Sequence, residues 1–130
     1  MNITLEWKEN YNTGIEEVDF QHKYFLKLIK RFAQLTEGEP DDEYVKRLLL
    51  EIVLYAEFHF CSEENMMIRA DYPSVKQHQK LHNELVQQLN DEISSFKNDK
   101  ESIIHLIAFL ANWFMHHTVE EDIKFANHLS

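Results

Sequence analysis

The sequence predicts an all-α fold, an antiparallel up-down-up-down four-helix bundle with an irregular N-terminal arm. Apolar residues recur at three- and four-residue spacing in four segments, as in helices that bury one face. The 130 residues include only two glycines and two prolines, too few for the many turns of a β-sandwich or barrel. The breaks between the segments are short, and short connections make consecutive helices run antiparallel.

The N-terminal part of the chain divides into an arm and the first helix. Residues 1–15 are too irregular for a helix, and we expect Trp7 and Tyr11 to pack this arm against a bundle of residues 16–128. The first helix is predicted over residues 16–35. Nine Phe, five Tyr and two Trp supply the bulk of one core, so residues 1–130 are predicted to form a single domain.

The other three helices are placed by their start signals. The second is predicted to continue to about residue 70 from an N-cap at Asp41, with Met66 among its core residues. The third opens with Ser74 and, three residues later, Gln77, the pattern of a capping box. The fourth is predicted to begin at residue 98 or 99.

Charge and cysteine content exclude several classes of function. A net charge of −10 disfavours nucleic acids and anionic membranes as partners, since both are bound by clustered Lys and Arg. Cys61 is the single cysteine, which suits a reducing cytoplasm. The opening "MNITLEWKEN" lacks the blocks of a signal peptide, and no apolar run approaches transmembrane length. We therefore expect a cytoplasmic protein without a membrane segment.

The eight histidines include several that are spaced from each other or from acids as metal ligands are. Two pairs are four residues apart, which places both members on one helical face, and a third pair is five apart. Each pair alone would arise by chance in a chain of this composition. One further histidine lies near the start of the first helix. The candidate ligands are His22, His59, Glu63, His78, His82, His117 and Asp122.

The position of these candidates in the bundle strengthens the case for a metal site. In an antiparallel bundle the starts of the odd helices and the ends of the even helices meet at one end, and every candidate lies one to two turns from that end. A core in which the histidines merely satisfy the two acids is the alternative. Five imidazoles and two carboxylates exceed what one Zn²⁺ needs and suit two ions bridged by the acids. A nitrogen-rich ligand set favours reversible binding over oxidation catalysis.

The heptapeptide "HHTVEED" at residues 116–122 leaves one choice open. On a regular helix His116 would share a face with Glu120, and His117 with Glu121. His117 and Asp122 would lie about 140° apart, given 3.6 residues per turn. Geometry alone therefore does not select a histidine and an acid from this stretch.

The motifs resemble those of the hemerythrin family, in particular its single-domain bacterial members, the bacteriohemerythrins. The matching stretches are "GIEEVDFQH", "HFCSEENMM", "YPSVKQHQKLH" and "NWFMHHTVEED". The resemblance extends from about residue 7 to residue 125 and implies two iron ions with a bridging oxo or hydroxo group. It also selects His117 and Asp122, and makes His116 a bystander.

The resemblance assigns a role to each ligand. One iron would be held by the three histidines His78, His82 and His117. The second would be held by His22 and His59, with one position open for O₂. The implied bridges are Glu63 and Asp122.

The function implied is non-enzymatic, reversible O₂ binding for oxygen carriage, storage or sensing. One alternative is a di-iron enzyme that oxidises iron, peroxide or nitric oxide, and another is an iron-responsive interaction module. The sequence does not identify a protein that would receive the oxygen.

Residues near the candidate ligands carry further expectations. Aromatic rings one turn away are expected either to line an O₂ pocket or simply to pack; they are Phe25, Trp113 and Phe114. Asp19 could hold a ligand imidazole, as such ligands usually need a partner. Cys61 should point away from the irons. The remaining histidines and acids are expected to be ordinary surface or satisfied groups: His105, His128, Glu64, Glu120 and Glu121.

Overall fold

The computed structural model describes residues 5–38 and 41–129, with the His117 side chain excepted. A short 3₁₀ turn at Glu9–Tyr11 precedes α1 (Glu16–Ala33), which ends in a second 3₁₀ turn, Gln34–Glu37. The two central helices are α2 (Asp42–Arg69) and α3 (Val75–Ser94). The chain then forms α4 (Lys100–Trp113), a π-helical stretch (Phe114–Val119) and α5 (Glu120–Leu129).

The architecture is the all-α four-helix bundle that the sequence predicts. The π-helical stretch joins α4 to α5 without a break, so the three form one fourth helix. Contacts connect α1 with α2, α2 with α3, α3 with α4 and α1 with α4. The described ranges contain no strand.

No helix in the described ranges combines the length and the apolar character that crossing a membrane requires.

The arm packs against the bundle through its aromatic residues, as expected. The Trp7 and Tyr11 rings meet edge to face, with centroids 5.4 Å apart. Tyr11 is buried, and its ring meets Phe114 edge to face at 6.3 Å. The arm therefore covers the π-helical stretch.

One of the two predicted helix caps forms, and a cap also forms at residue 99, one of the two positions at which the fourth helix was expected to begin. The side chain of Asp41 accepts a hydrogen bond from the Tyr44 backbone N–H at 3.1 Å, and Asp99 accepts one from Ser102 at 2.8 Å. The capping box predicted at Ser74 is wrong, because Ser74 makes no side-chain cap hydrogen bond. Its φ of −98° and ψ of 19° lie outside the extended region that N-cap residues usually adopt.

The end of the bundle remote from the histidines is filled by close-packed apolar side chains. The largest fully buried ones there include Phe32, Ile52, Leu89, Ile103 and Leu106. At the end of α2 the fully buried methionine is Met67, whereas Met66 is partly exposed. Burial of this apolar surface is the main favourable contribution to the free energy of folding. The buried polar groups lie at the other end of the bundle.

Candidate metal centre

Four of the predicted ligands meet in one buried cluster. His22 comes from α1, His59 and Glu63 from α2, and Asp122 from α5. One ligand atom from each lies within 4.8 Å of the others. All four side chains are buried, and Glu63 has no exposed surface. The separations are small enough for these atoms to share ions between them.

Asp122 lies between two histidines from different helices. Its Oδ2 atom is 2.6 Å from Nε2 of His22 and 3.2 Å from Nε2 of His59. The two imidazole rings contact each other with centroids 4.8 Å apart. The Asp122 carboxylate therefore faces the α1 and α2 histidines together.

Glu63 lies between the histidines of α2 and α3. Its Oε2 atom is 3.6 Å from Nε2 of His59, and its Oε1 atom is 3.2 Å from Nε2 of His82. His78 is buried one turn before His82, and the two rings are 5.7 Å apart. Each oxygen of Glu63 thus faces a different histidine, which is the disposition that a bridging carboxylate needs.

The fourth helix changes its winding at this centre. A π-helical turn holds one residue more than an α-helical turn, so it moves residue 122 to where the residue four after 117 would otherwise lie. Asp122 is accordingly buried, whereas the Glu120 side chain is 63% exposed. The π-helical stretch thus removes the angular objection to the five-residue spacing. The side chain of His117 itself lies outside the described structure.

Several buried polar atoms of the cluster have no hydrogen-bond partner among the described residues. They are Nδ1 of His22, Nε2 of His78 and both carboxylate oxygens of Glu63. Leaving such atoms unpaired in a core costs about 1–3 kcal/mol each. A bound cation would satisfy donors of this kind, and imidazole with carboxylate suits iron among the transition metals. The residues present therefore fit a metal centre.

The pKa shifts of the cluster residues also fit a metal centre. Burial, and next the neighbouring Asp122 carboxylate, raise the pKa of Glu63 to about 7. Burial lowers the pKa of His22 to about 4, so this imidazole is neutral at physiological pH, the form that binds metals. Burial also acts to lower the pKa of His82, but the nearby carboxylates of Glu63 and Glu64 outweigh it, and the net shift of the pKa is upward.

Two side chains that orient the histidines were missed by sequence reasoning. Oε1 of Gln21 is 2.7 Å from Nδ1 of His59, and Oε2 of Glu64 is 2.7 Å from Nδ1 of His82. Each fixes the ring so that Nε2 points into the cluster. The expectation that Glu64 is an ordinary solvated charge is therefore wrong. The available signal was adjacency, since Gln21 precedes His22 and Glu64 follows Glu63.

Asp19 does not have the role that the sequence suggested. Its carboxylate accepts hydrogen bonds from the backbone and hydroxyl of Thr13, at 2.7 and 2.8 Å, and from the backbone of Gly14 at 3.2 Å. Asp19 therefore fastens the arm to the first turn of α1. Three donors engage its oxygens, and within the described residues no hydrogen bond joins Asp19 to an imidazole.

Aromatic rings surround the histidines on two sides. Phe114 meets the His22 ring edge to face at 5.7 Å, and Phe25 stacks on Phe114 at 5.9 Å. Trp113 lies behind Phe25 at 5.5 Å, and its indole N–H donates to the Leu85 carbonyl. The sequence did not single out Phe60, which stacks on His82 at 4.1 Å.

The other histidines and the cysteine lie away from the cluster. His116 is 62% exposed and 3.6 Å from Glu120, and His105 is exposed beside Glu92. The ring of His128 contacts Tyr72. Cys61 is exposed with a free thiol.

Comparison with known proteins agrees with the geometry. The family model described as the hemerythrin HHE cation binding domain matches residues 13–129. A bacteriohemerythrin of Pseudomonas aeruginosa is 25% identical over 123 residues, which cover 95% of this chain and 80% of the relative. One from Clostridium acetobutylicum is 25% identical over 124 residues, covering 92% of this chain and 96% of the relative. A third, from Campylobacter jejuni, is 24% identical over 110 residues, covering 82% and 81%.

Proposed function

Because the chain belongs to the hemerythrin HHE cation-binding family, we propose that it binds O₂ reversibly at a non-heme di-iron centre. The proposed role is oxygen carriage, storage or sensing, without catalytic turnover. The observation that carries the proposal is the buried cluster of His22, His59, Glu63 and Asp122. In it, Nδ1 of His22 and both carboxylate oxygens of Glu63 have no hydrogen-bond partner among the described residues. The exposed free thiol of Cys61 suits a cytoplasmic location.

The proposed ligand assignment follows the helices. One iron takes the histidines His78, His82 and His117, and the second takes His22 and His59. Glu63 and Asp122 would be the carboxylates shared by the two irons, and an oxo or hydroxo group would complete the bridge. The two carboxylates support this assignment, since each lies between imidazoles from two helices.

The protein positions the metal-binding side chains, supplies their hydrogen-bond partners and excludes water from the site. The iron pair, when bound, supplies electrons that O₂ can accept and return. Gln21 and Glu64 fix two of the imidazoles, so little reorganisation accompanies metal binding. Phe114 and Phe25 close the side of His22, the histidine assigned to the iron with the open position. Shielding of this kind suppresses proton leakage and side reactions.

Metal analysis tests the ligand set. Protein purified from iron-replete cells should contain two irons per chain. His117→Ala should reduce the iron content, and His116→Ala, at an exposed position, should leave it unchanged. A reproducible single zinc per chain, or iron loss on replacing His116 alone, would sink the assignment.

The aromatic shield yields a kinetic prediction. Phe114→Asn should leave two irons bound but speed conversion to the oxidised, O₂-incompetent form roughly tenfold or more, the effect of about 1.4 kcal/mol on a barrier. Phe25→Asn should act in the same direction, because Phe25 stacks behind Phe114. The measurement is the autoxidation rate of iron-matched samples. Phe114→Leu, which keeps the wall apolar, is the control and should stay near the parent rate. Unchanged rates in both asparagine variants would mean that these rings only pack the core.

Glu64 yields a prediction about metal affinity. Glu64→Gln should weaken iron binding by about 10- to 100-fold, because the amide is a poorer acceptor for the His82 Nδ1–H than the carboxylate. Competition with a chelator measures the affinity. Glu121→Gln is the matched control, since Glu121 is partly exposed and, among the described residues, bonds Lys124 alone. Equal affinities in the two variants would contradict the orienting role of Glu64.

A further inference from the structure

The outward face of α2 carries apolar side chains that a monomer leaves in water. Tyr44, Leu54 and Phe58 lie on this face, and the side chains of Leu54 and Phe58 are each 55% exposed. They recur at spacings of three and four together with Arg47 and Glu51, which is the narrow stripe of a helix–helix seam. Scattered single apolar residues need no explanation, but a stripe with this period does.

The neighbouring helix α1 carries a matching stripe. Its residues are Glu17, Phe20, Tyr24, Lys27 and Arg31, again at alternating spacings of three and four. Phe20 is 71% exposed and is the most exposed large apolar residue that the structure describes. The two stripes form one continuous surface, which we call the α1–α2 face.

Contacts between aromatic rings hold the middle of this face together. The Tyr24 and Tyr55 rings are 4.9 Å apart, and Tyr55 donates its hydroxyl to the backbone carbonyl of Gln21. Phe58 packs on Tyr55 at 5.8 Å, and one groove is lined by Phe20, Tyr24, Tyr55 and Phe58. The rings of Tyr24, Tyr55 and Phe58 are therefore held by packing against one another, and Phe20 lines the same groove.

Opposite charges lie at the two ends of the face. Glu16 and Glu17 border the groove at the start of α1. Lys27 and Arg31 lie about three to four turns further along α1, and antiparallel packing places Arg47 of α2 at that same end. Within the described ranges none of these five side chains forms an ion pair.

The α1–α2 face is electrically balanced on an otherwise acidic protein. Its two stripes carry the basic residues Lys27, Arg31 and Arg47 and the acidic residues Glu17 and Glu51, and Glu16 borders them, whereas the whole chain carries −10. A second copy therefore meets no net repulsion here, although it would elsewhere. A strongly basic partner would be drawn to the rest of the surface instead.

We infer that the α1–α2 face is the interface of a two-fold symmetric homodimer. A two-fold axis through the middle of the face, near Tyr24 and Leu54, reverses the helix direction in the second copy. The acidic end of each copy then meets the basic end of the other, and the exposed rings of Phe20 and Phe58 are buried between them. Isologous contacts require a self-complementary surface of this kind.

Sedimentation velocity on the iron-loaded protein, from low micromolar concentration upward, tests the inference. A monomer–dimer equilibrium is expected. Phe58→Asp should raise the dimer dissociation constant at least about tenfold, as for a central aromatic anchor. Ile68→Asp is the matched control, because Ile68 is 54% exposed on the same helix but lies ten residues, about 15 Å, beyond Phe58, and it should leave the constant unchanged.

A charge exchange makes the test specific for the two-fold arrangement. Glu17→Arg alone and Arg31→Glu alone should each weaken the dimer, because each places like charges together. The double variant should restore it, since the two ends have merely been exchanged in both copies. A chain that stays monomeric at all concentrations would overturn the inference. The chain would also stay monomeric if a different protein covered this face. A dimer lost in Ile68→Asp but kept in Phe58→Asp overturns it as well.

Discussion

Replacing Glu63 with leucine is expected to abolish iron binding and to make the iron-free protein more stable than the iron-free parent. Glu63 has no exposed surface, and neither oxygen has a hydrogen-bond partner among the described residues. Without a cation its carboxyl is therefore a cost to folding, as the upward shift of its pKa to about 7 also indicates. Replacing buried charged groups with apolar residues is often neutral or stabilising by about 1–4 kcal/mol.

Iron content and urea unfolding of apo samples measure the two effects. Glu57→Leu serves as the control, because Glu57 is exposed on the same helix, and it should keep its iron and its stability. A Glu63→Leu variant that still binds two irons would show that Glu63 is not a ligand. An apo variant far less stable than the apo parent would show instead that Glu63 contributes to folding without metal.

Removal of iron from the parent protein should lower its melting temperature by about 10 °C or more. A metal that binds only the folded state stabilises it by RT ln(1 + [L]/Kd), which reaches about 4 kcal/mol at a thousandfold excess over Kd. For a domain of this size, a few kcal/mol correspond to a shift of that order. Helix should be lost first at the metal end, where His22, Glu63 and Asp122 would be left buried without a cation.

Thermal melts and hydrogen exchange on apo and iron-loaded samples check this expectation. Faster exchange on removing iron should be confined to the start of α1, the end of α2, the start of α3 and the π-helical stretch. The remote end, around Phe32 and Leu106, should exchange equally in both samples. Equal melting temperatures would mean that the cluster is stable without metal.

The fold was predictable because each of its elements has a local signal. The spacing of apolar residues located the helices, and Asp41 and Asp99 marked two helix starts correctly. Ser74 also marked the start of α3 correctly, but its capping hydrogen bond is absent, because a capping pattern in sequence does not fix the backbone angles on which the cap depends. The loop before α3 adopts a conformation set by its own backbone hydrogen bonds, such as that from Tyr72 N–H to the Met67 carbonyl.

The winding of the fourth helix could not be read from periodicity. A rule of 3.6 residues per turn separates residues 117 and 122 by about 140°, and only a π-helical stretch removes that separation. The five-residue spacing of "HHTVEED" was itself the signal. Two expected ligands whose spacing does not suit a regular helix thus indicated an irregular turn between them.

The groups that orient the ligands were the least predictable part of the centre. Asp19 has a plausible spacing from His22, yet its carboxylate is engaged by Thr13 and Gly14. The partners found instead, Gln21 for His59 and Glu64 for His82, act between helices. Contacts across helices depend on the axial offset and rotation of each pair, which the pattern along one helix does not contain.

Oxygen uptake by the fully reduced, iron-loaded protein tests the central claim most directly. The diferrous protein is mixed with O₂ in a stopped-flow spectrometer while dissolved O₂ is recorded, and the sample is then deoxygenated under inert gas. Reversible binding predicts that each chain takes up one O₂, that consumption then stops, and that deoxygenation returns the diferrous spectrum through repeated cycles. Continued consumption of O₂ over many turnovers in the presence of a reductant would contradict it and identify an oxidase, and iron-loaded protein that takes up no O₂ would contradict it equally.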